Sequence, residues 1–174
     1  YEKVKGFWYL PEFTDGVLLG RLDLKVVLAE FLLSIGYRED PQVFMDYWFS
    51  KDSNVNQPLM NVIARLRNTG DLKMYLATNQ EKYRADYLWH NLGFKDYFDD
   101  VFNSARIGHC KSNAKYFEAV NNIIDWSKRP EPPLFFEDNP DIIKGAQAVG
   151  WDATKYCELE DFTSHPSIHK LLVN

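Results

Sequence analysis

Residues 134–146 read Leu-Phe-Phe-Glu-Asp-Asn-Pro-Asp-Ile-Ile-Lys-Gly-Ala, and this stretch decides the fold class. The run Leu134 to Phe136 is short and wholly apolar, which is typical of a buried strand. A helix is predicted next, from Ile142 to Val149, and Gly150 ends it. A buried strand followed at once by a helix is one unit of a parallel α/β sheet.

The same alternation continues on both sides of this unit. Strands are predicted at residues 72–77, 101–102 and 153–156. Helices are predicted at residues 60–67, 81–91 and 114–125. Strands separated by helices of this length form a parallel sheet with helices on both faces. The sequence therefore predicts a Rossmann-like α/β core.

The first 57 residues have a different, all-helical pattern. Two helices are predicted, and a polar, turn-prone segment at residues 50–58 is predicted to link them to the rest. We therefore expect a helical cap at residues 1–57 and an α/β core at residues 58–174. The apolar positions with helical spacing are Leu22, Val26, Ala29, Leu32 and Leu33 in the first helix, and Val43, Phe44, Tyr47 and Trp48 on the apolar face of the second.

Composition excludes several classes of protein. The chain has 174 residues, 45% of them hydrophobic, which is enough to form a core. Its net charge of −5 argues against a nucleic-acid partner, and no apolar run is long enough to span a membrane. Two cysteines cannot form a disulfide framework and are typical of a reducing compartment. We expect a soluble, cytoplasmic protein.

Polar residues stand where the predicted strands end, which is where α/β sheets bind ligands. Thr78 and Asn79 follow one strand, and they could bind an anion or simply cap the next helix. Glu137 and Asp138 follow another, and adjacent carboxylates could hold Mg²⁺ or form an ordinary acidic turn. Lys111 lies in a polar loop, where an isolated lysine is usually a solvated charge.

The order of these residues resembles motifs II, III and IV of the haloacid dehalogenase-like hydrolase superfamily. Leu76 to Asn79 is similar to that family's strand-end Ser/Thr turn, and residues 108–116 (GHCKSNAKY) are similar to its lysine loop. Residues 135–146 (FFEDNPDIIKGA) are similar to its acidic signature. The resemblance covers residues 58–156, and the helical N-terminal part looks like the cap of many members.

The resemblance implies Mg²⁺-dependent hydrolysis of a phosphate monoester through an aspartyl-phosphate. By analogy, Thr78 would hydrogen-bond the transferred phosphoryl group, with Asn79 beside it as a substrate-binding residue. Lys111 would neutralise the phosphate oxygens and the nucleophile. Glu137 and Asp138 would hold the Mg²⁺ ion, directly or through water. Phosphoryl transfer depends mainly on positioning and charge compensation, which these residue types supply.

One motif of the family is missing. Motif I is an apolar strand that ends in Asp-x-Asp and supplies the nucleophile, and no Asp-x-Asp occurs in the 174 residues. The nearest stretch, Phe13 to Leu18, has a phenylalanine at the nucleophile position, and Pro11 precedes it. We interpret that stretch as cap. The chain starts with Tyr1, so we expect an upstream segment to carry the missing strand, and the given chain alone to be inactive.

Two alternatives stay open. The chain could be an inactive member that binds an ion and a partner without catalysing a reaction. It could also be a 2-haloacid dehalogenase, although Glu137 and Asp138 would then repel the substrate carboxylate. The substrate is not readable from the sequence beyond a small phosphorylated metabolite, because the cap normally selects it.

Overall fold

The computed structural model describes residues 2–70, 72–128 and 130–173, and the chain divides into two compact units. The first unit comprises residues 1–54, 76–96 and 101–110, and the second comprises residues 55–75, 97–100 and 111–174. The strands pair two by two in the described residues, β1 with β2 and β3 with β4. They are β1 Tyr75–Thr78, β2 Asp100–Asn103, β3 Leu134–Glu137 and β4 Asp152–Lys155.

Helices make up most of the remaining structure. A 3₁₀-helical turn is formed by Gly6–Tyr9, and π-helical turns are formed by Glu12–Val17 and Tyr87–Asn91. The α-helices are α1 Glu2–Lys5, α2 Leu24–Ser34, α3 Pro41–Lys51, α4 Gln57–Arg67, α5 Lys82–Asp86, α6 Ser104–Ile107, α7 Ala114–Ile124, α8 Pro140–Ala148, α9 Leu159–Thr163 and α10 Pro166–Val173.

All four predicted strands are present. The pair β3 and β4 is parallel, with Phe135 opposite Ala153 and Glu137 opposite Lys155. The register continues one step further, because the Tyr156 N–H donates to the carbonyl of Glu137 at 3.0 Å. The α/β class with parallel strand pairing is thereby confirmed. The division at residue 57 into cap and core stays a prediction.

The first unit has its own apolar core, formed mainly by α2, α3 and the N-terminal turns. Phe7 is fully buried and packs against Trp8 and Phe13, with ring centroids 4.9 and 5.2 Å away. The remaining buried members of this core are Val17, Leu24, Leu28, Leu32, Met45 and Phe49.

The buried faces of these two helices differ from the apolar positions that the sequence pattern singled out. The α2 helix is present, and its buried side chains are Leu24, Leu28 and Leu32, of which only Leu32 belongs to the predicted spaced set. On α3 the buried side chains are Met45 and Phe49, and Phe44 and Trp48 pack partly against the same core. The other two residues predicted on that face, Val43 and Tyr47, are exposed. Both helices carry apolar residues on more than one face, so spacing alone could not identify the buried one.

A buried arginine caps the C-terminal end of α3. Arg84, on α5, is 4% exposed, and its guanidinium donates to the carbonyls of Phe49 (3.1 Å) and Asp52 and to the hydroxyl of Ser53 (2.9 Å). Carbonyls at the C-terminal end of a helix lack partners within it, and the guanidinium supplies hydrogen bonds to them. Its positive charge also interacts favourably with the negative end of the helix dipole. The α3 helix therefore extends to Lys51, into the segment predicted as linker.

The second unit is held by aromatic packing under β3. Phe117 on α7 contacts Phe135 and Trp151, with ring centroids 5.7 and 5.0 Å away in edge-to-face geometry.

Asp99 joins α4 to the chain before β1, because it accepts from Arg67 at 2.7 Å and from the Met74 N–H at 2.9 Å. None of the described helices is long and apolar enough to cross a membrane.

The candidate active site

Two carboxylates stand at the carboxyl end of β3, as predicted. Glu137 is the last residue of the strand and is buried, with 8% of its surface exposed. Asp138 follows in the turn before α8 and is exposed. Asn139 caps that helix through its side chain, which accepts the Asp141 N–H at 2.9 Å. Because Asn139 takes the capping role, Asp138 does not serve as the cap and its carboxylate is left for another ligand.

Lys111 lies next to the buried one of these carboxylates, Glu137. Its ammonium donates to the Glu137 carboxylate, and both side chains are largely buried, 13% and 7% exposed. The ammonium also lies 5.8 Å from the ring centroid of Phe135. Gly108 begins the loop that leads to Lys111, and its φ of 78° ends α6 in the left-handed conformation that glycine adopts readily. The lysine is therefore a buried, paired cation rather than a solvated charge.

A cavity of about 490 Å³ opens over these carboxylates. This volume is typical of sites for small organic molecules. Its walls combine charged and apolar groups, so it offers both ion binding and contact for the carbon skeleton of a ligand. The lining residues are Phe136, Glu137, Asp138, Tyr156 and Cys157.

The electrostatics of the site favour an ionised Asp138. Its hydrogen bond with the Glu137 carboxyl group, reinforced by the positive charge of Lys111, holds the pKa of Asp138 below its usual range. Asp138 is therefore an exposed, ionised carboxylate that shares a hydrogen bond with Glu137.

The donor set fits a magnesium ion. Among the residues that the structure describes, no three His, Cys, Asp or Glu side chains are grouped to hold a metal by themselves. Mg²⁺ does not require such a cage, because it usually keeps several waters and binds one or two carboxylates together with substrate phosphates. Asp138 would be the direct ligand, and Glu137 a second oxygen donor that Lys111 orients.

Thr78 and Asn79 lie at the end of another strand. Thr78 is the last residue of β1 and Asn79 follows it, and both are half-buried. The next residue, Gln80, anchors this turn, because its carbonyl accepts from the Ser104 hydroxyl at 3.2 Å and from the Ala105 N–H at 3.3 Å. This turn belongs to the first unit, whereas Lys111, Glu137 and Asp138 come together in the second. The role of Thr78 and Asn79 stays a prediction.

The structure adds two residues that sequence reasoning missed. Tyr156 and Cys157 follow β4 and line the cavity beside Asp138. The Tyr156 hydroxyl also accepts from the Asn56 side chain at 3.2 Å. The signal was available, since residues that follow parallel strands meet at one edge of a sheet. Tyr156 was predicted as the last residue of the strand at 153–156, and it was therefore not considered among the residues that follow a strand end.

The stretch considered as a substitute for motif I is helical. Residues Glu12–Val17 form one wide helical turn, and Phe13 packs against Phe7 in the core of the first unit. This helical turn is not the strand that motif I requires, and the interpretation of the stretch as cap stays a prediction. Cys110 is also a poor nucleophile, because burial raises the pKa of its thiol.

Comparison with solved structures finds the same fold in two bacterial proteins. A HAD family enzyme from Bacteroides thetaiotaomicron matches with a TM-score of 0.75 at 17% identity, over 94% of this chain and 81% of that one. The same enzyme was also solved as a magnesium complex, and, with one aspartate replaced by alanine, with magnesium and inorganic phosphate. A HAD-like hydrolase from Porphyromonas gingivalis matches with a TM-score of 0.65 at 22% identity, over 99% and 88%.

Comparison of sequences points to the same group. No curated protein matches the chain. The family model described as haloacid dehalogenase-like hydrolase matches residues 18–150, which is well over half of the chain. That range contains all the predicted site residues, from Thr78 to Asp138. The chain therefore belongs to the haloacid dehalogenase-like hydrolase family.

Proposed function

We propose that this hydrolase is a Mg²⁺-dependent phosphatase that acts on small phosphate monoesters. The observation that carries the proposal is the grouping of Lys111, Glu137 and Asp138 beside a cavity of about 490 Å³. A buried ammonium next to two carboxylates provides both charges that a phosphate–magnesium pair requires. The complex of magnesium and inorganic phosphate in the structurally similar Bacteroides enzyme supports this choice of ligands.

Each residue then has a distinct task. Asp138 provides the exposed oxygen for the metal, and Glu137 stays in place through Lys111 and through the Asn139 N–H, which donates to it at 3.2 Å. When bound, a Mg²⁺ ion would neutralise charge on the phosphoryl oxygens. Lys111 would add positive charge from the protein side, and we assign the phosphoryl hydrogen bond to Thr78, with Asn79 beside it.

The residues assigned so far do not include the attacking carboxylate. No Asp-x-Asp occurs in the sequence, and β1 and β3 each pair with a single strand in the described part of the chain. Strand β3 thus has a second edge that another strand could pair. We propose that a strand outside these 174 residues carries the nucleophile, and that the 174 residues alone bind Mg²⁺ without turnover.

The substrate class and the cellular location of the protein are also part of the proposal. The cavity is lined by Phe136 and Tyr156 as well as by the carboxylates, so a phosphorylated metabolite with a small carbon skeleton fits the proposal. Cys110 and Cys157 are free thiols, as is usual in a reducing compartment, and we propose a cytoplasmic location.

The test compares two forms of the protein. The product of the complete open reading frame and the 174-residue chain would each be assayed for release of p-nitrophenol from p-nitrophenyl phosphate, with Mg²⁺ and with EDTA. We expect Mg²⁺-dependent release from the first form alone. Titration calorimetry should show Mg²⁺ binding by both.

Each result decides between the candidate functions. Release that EDTA does not reduce would overturn the metal requirement. Turnover by the 174 residues alone would place the nucleophile within them. Absence of turnover by both forms, with Mg²⁺ still bound, would favour the second candidate, an ion-binding member without activity, which the missing Asp-x-Asp supports.

A further inference from the structure

Helix α2 has a second apolar face that its own core does not use. Leu24, Leu28 and Leu32 are buried, but Val26 and Leu33 are 59% and 53% exposed on another side of the helix. Leu22 is also 47% exposed, but it precedes the Asp23 N-cap and its side chain lies against Gly16, so it is not part of this helix face. Single exposed apolar residues are ordinary, but an aligned row of them marks an interaction surface.

The row has the spacing of a helix–helix seam. Val26, Ala29 and Leu33 follow one another at intervals of three and four residues, which is the spacing of core positions in a two-stranded coiled coil. We call these three residues the α2 stripe. Val26, a β-branched residue, and Leu33 occupy the equivalent of the a positions, and Ala29 the equivalent of the d position. The small Ala29 would allow the two helices to approach closely.

Opposite charges flank the stripe. Lys25 and Glu30 are both exposed, and five residues correspond to about 140° around a helix, so they lie on opposite sides of the stripe. In a parallel pair of helices related by a two-fold axis, the side of the stripe that carries Lys25 on one helix faces the side that carries Glu30 on the other. Residues that face each other in this way are five positions apart in the sequence. Lys25 of one copy would therefore face Glu30 of the other, twice. In an antiparallel pair each flank would face its own counterpart, and the charges would not match.

We propose that the α2 stripe is the interface of a homodimer in which two copies of α2 pack in parallel. The occupant of this surface is a second copy of the chain, because the surface is complementary to itself in both its apolar row and its flanking charges. In the single chain the Lys25 ammonium lies 5.0 Å from the ring centroid of Tyr83, and the ion pair across the dimer would replace this contact. A single pair of short helices is a small interface, so we expect a reversible dimer.

The first experiment measures oligomeric state by sedimentation over a wide range of protein concentration. The wild-type chain should change from monomer to dimer as concentration rises. Val26→Glu should raise the dissociation constant by about a hundredfold, because it puts two like charges into an apolar seam. Val43→Glu is the matched control, since Val43 is the same residue type on α3 and is similarly exposed at 51%.

The second experiment tests the orientation by charge reversal. Lys25→Glu and Glu30→Lys should each weaken the dimer by about tenfold, because each places like charges opposite one another. The double variant Lys25→Glu/Glu30→Lys should restore most of the wild-type affinity. Circular dichroism of every variant checks that the fold is kept.

The results separate this interface from others. A wild-type chain that stays monomeric at the highest concentration overturns the proposal. A dimer that survives Val26→Glu but is lost in Val43→Glu places the interface on α3 and overturns it as well. A double reversal that is no better than the single ones contradicts the parallel arrangement.

Discussion

The pairing of Lys111 with Glu137 changes how the two acidic residues divide their work. From the sequence, Glu137 and Asp138 were equivalent candidates for metal binding, and Lys111 was a cation for the phosphate. In the structure the lysine neutralises the buried Glu137, and Asp138 keeps an exposed carboxylate whose pKa is lowered. We therefore propose Asp138 as the stronger metal ligand of the two, with Glu137 orienting the lysine as well as binding the ion.

The first prediction concerns this ion pair. Lys111→Met should lower the free energy of unfolding by about 3 kcal/mol, because it leaves Glu137 buried without its partner. The double variant Lys111→Met/Glu137→Gln should recover most of that loss, since no unpaired charge remains. Urea unfolding measures both. Lys144→Met is the control, because the Lys144 ammonium is 75% exposed and its contact with Asp141 should contribute less than about 0.5 kcal/mol.

The second prediction concerns the metal ligand. Asp138→Asn should weaken Mg²⁺ binding at least about tenfold, because the replacement amide carries no charge, while the unfolding midpoint should barely change for so exposed a residue. Titration calorimetry and thermal unfolding measure the two effects. Asp141→Asn, one helical turn beyond the site and 84% exposed, should leave Mg²⁺ binding unaltered. Equal affinity in wild type and Asp138→Asn would remove the proposed site.

Among the elements, the start of α5 contains a second buried carboxylate. Glu81 is 2% exposed and caps the helix by accepting the N–H groups of Tyr83 at 2.7 Å and Arg84 at 2.5 Å. Burial raises the pKa of Glu81 to about 7, and the two N–H donors oppose that rise without cancelling it. The folded chain therefore holds a proton here that the unfolded chain releases.

The third prediction is a pH dependence of stability. The contribution of Glu81 is fully present below about pH 4.5 and is lost as the pH rises to about 7, because there the folded state binds the extra proton. Across this interval the wild-type free energy of unfolding should fall by about 3 kcal/mol relative to Glu81→Gln. Urea unfolding at a series of pH values measures the difference. Glu118→Gln, an exposed change on α7, should follow the wild-type curve, and parallel curves for all three would contradict the assignment.

Element positions were largely predictable, but the buried face of α2 was not. The predicted strands coincide with β1 to β4 within a few residues, and the signal is clearest for β1 and β3, which are short, mainly apolar runs. The α2 helix was predicted from the spaced apolar positions Leu22, Val26, Ala29, Leu32 and Leu33. Leu24 and Leu28 also have helical spacing with Leu32, and these three residues pack in the core. Periodicity identifies a helix, but which of two apolar faces is buried depends on what packs against it.

At the scale of the whole molecule, two units with separate cores make up one chain. The first has the aromatic cluster around Phe7, and the second has the cluster of Phe117, Phe135 and Trp151. Each unit buries its own apolar residues, which is the usual requirement for a compact folding unit. The chain leaves and re-enters each unit more than once, so its division is not visible in a linear reading of composition.

The fourth prediction follows from the proposed dimer. If folded chains associate and unfolded ones do not, the melting temperature should rise with protein concentration. Val26→Glu should melt at one temperature at all concentrations, whereas Val43→Glu should behave like the wild type. Calorimetric scans at low and high concentration measure this. A wild-type melting temperature independent of concentration would show that association does not stabilise the fold.

Sequence by itself was sufficient for the fold class and the strand positions, and it singled out Lys111, Glu137 and Asp138 as candidate site residues, because these depend on local runs and on motifs in a set order. Tertiary structure decided the partners. It paired Lys111 with Glu137, brought Tyr156 beside Asp138 and left one apolar face of α2 exposed. Such contacts join residues distant in the chain or select one of two equivalent faces, and only packing in three dimensions determines them.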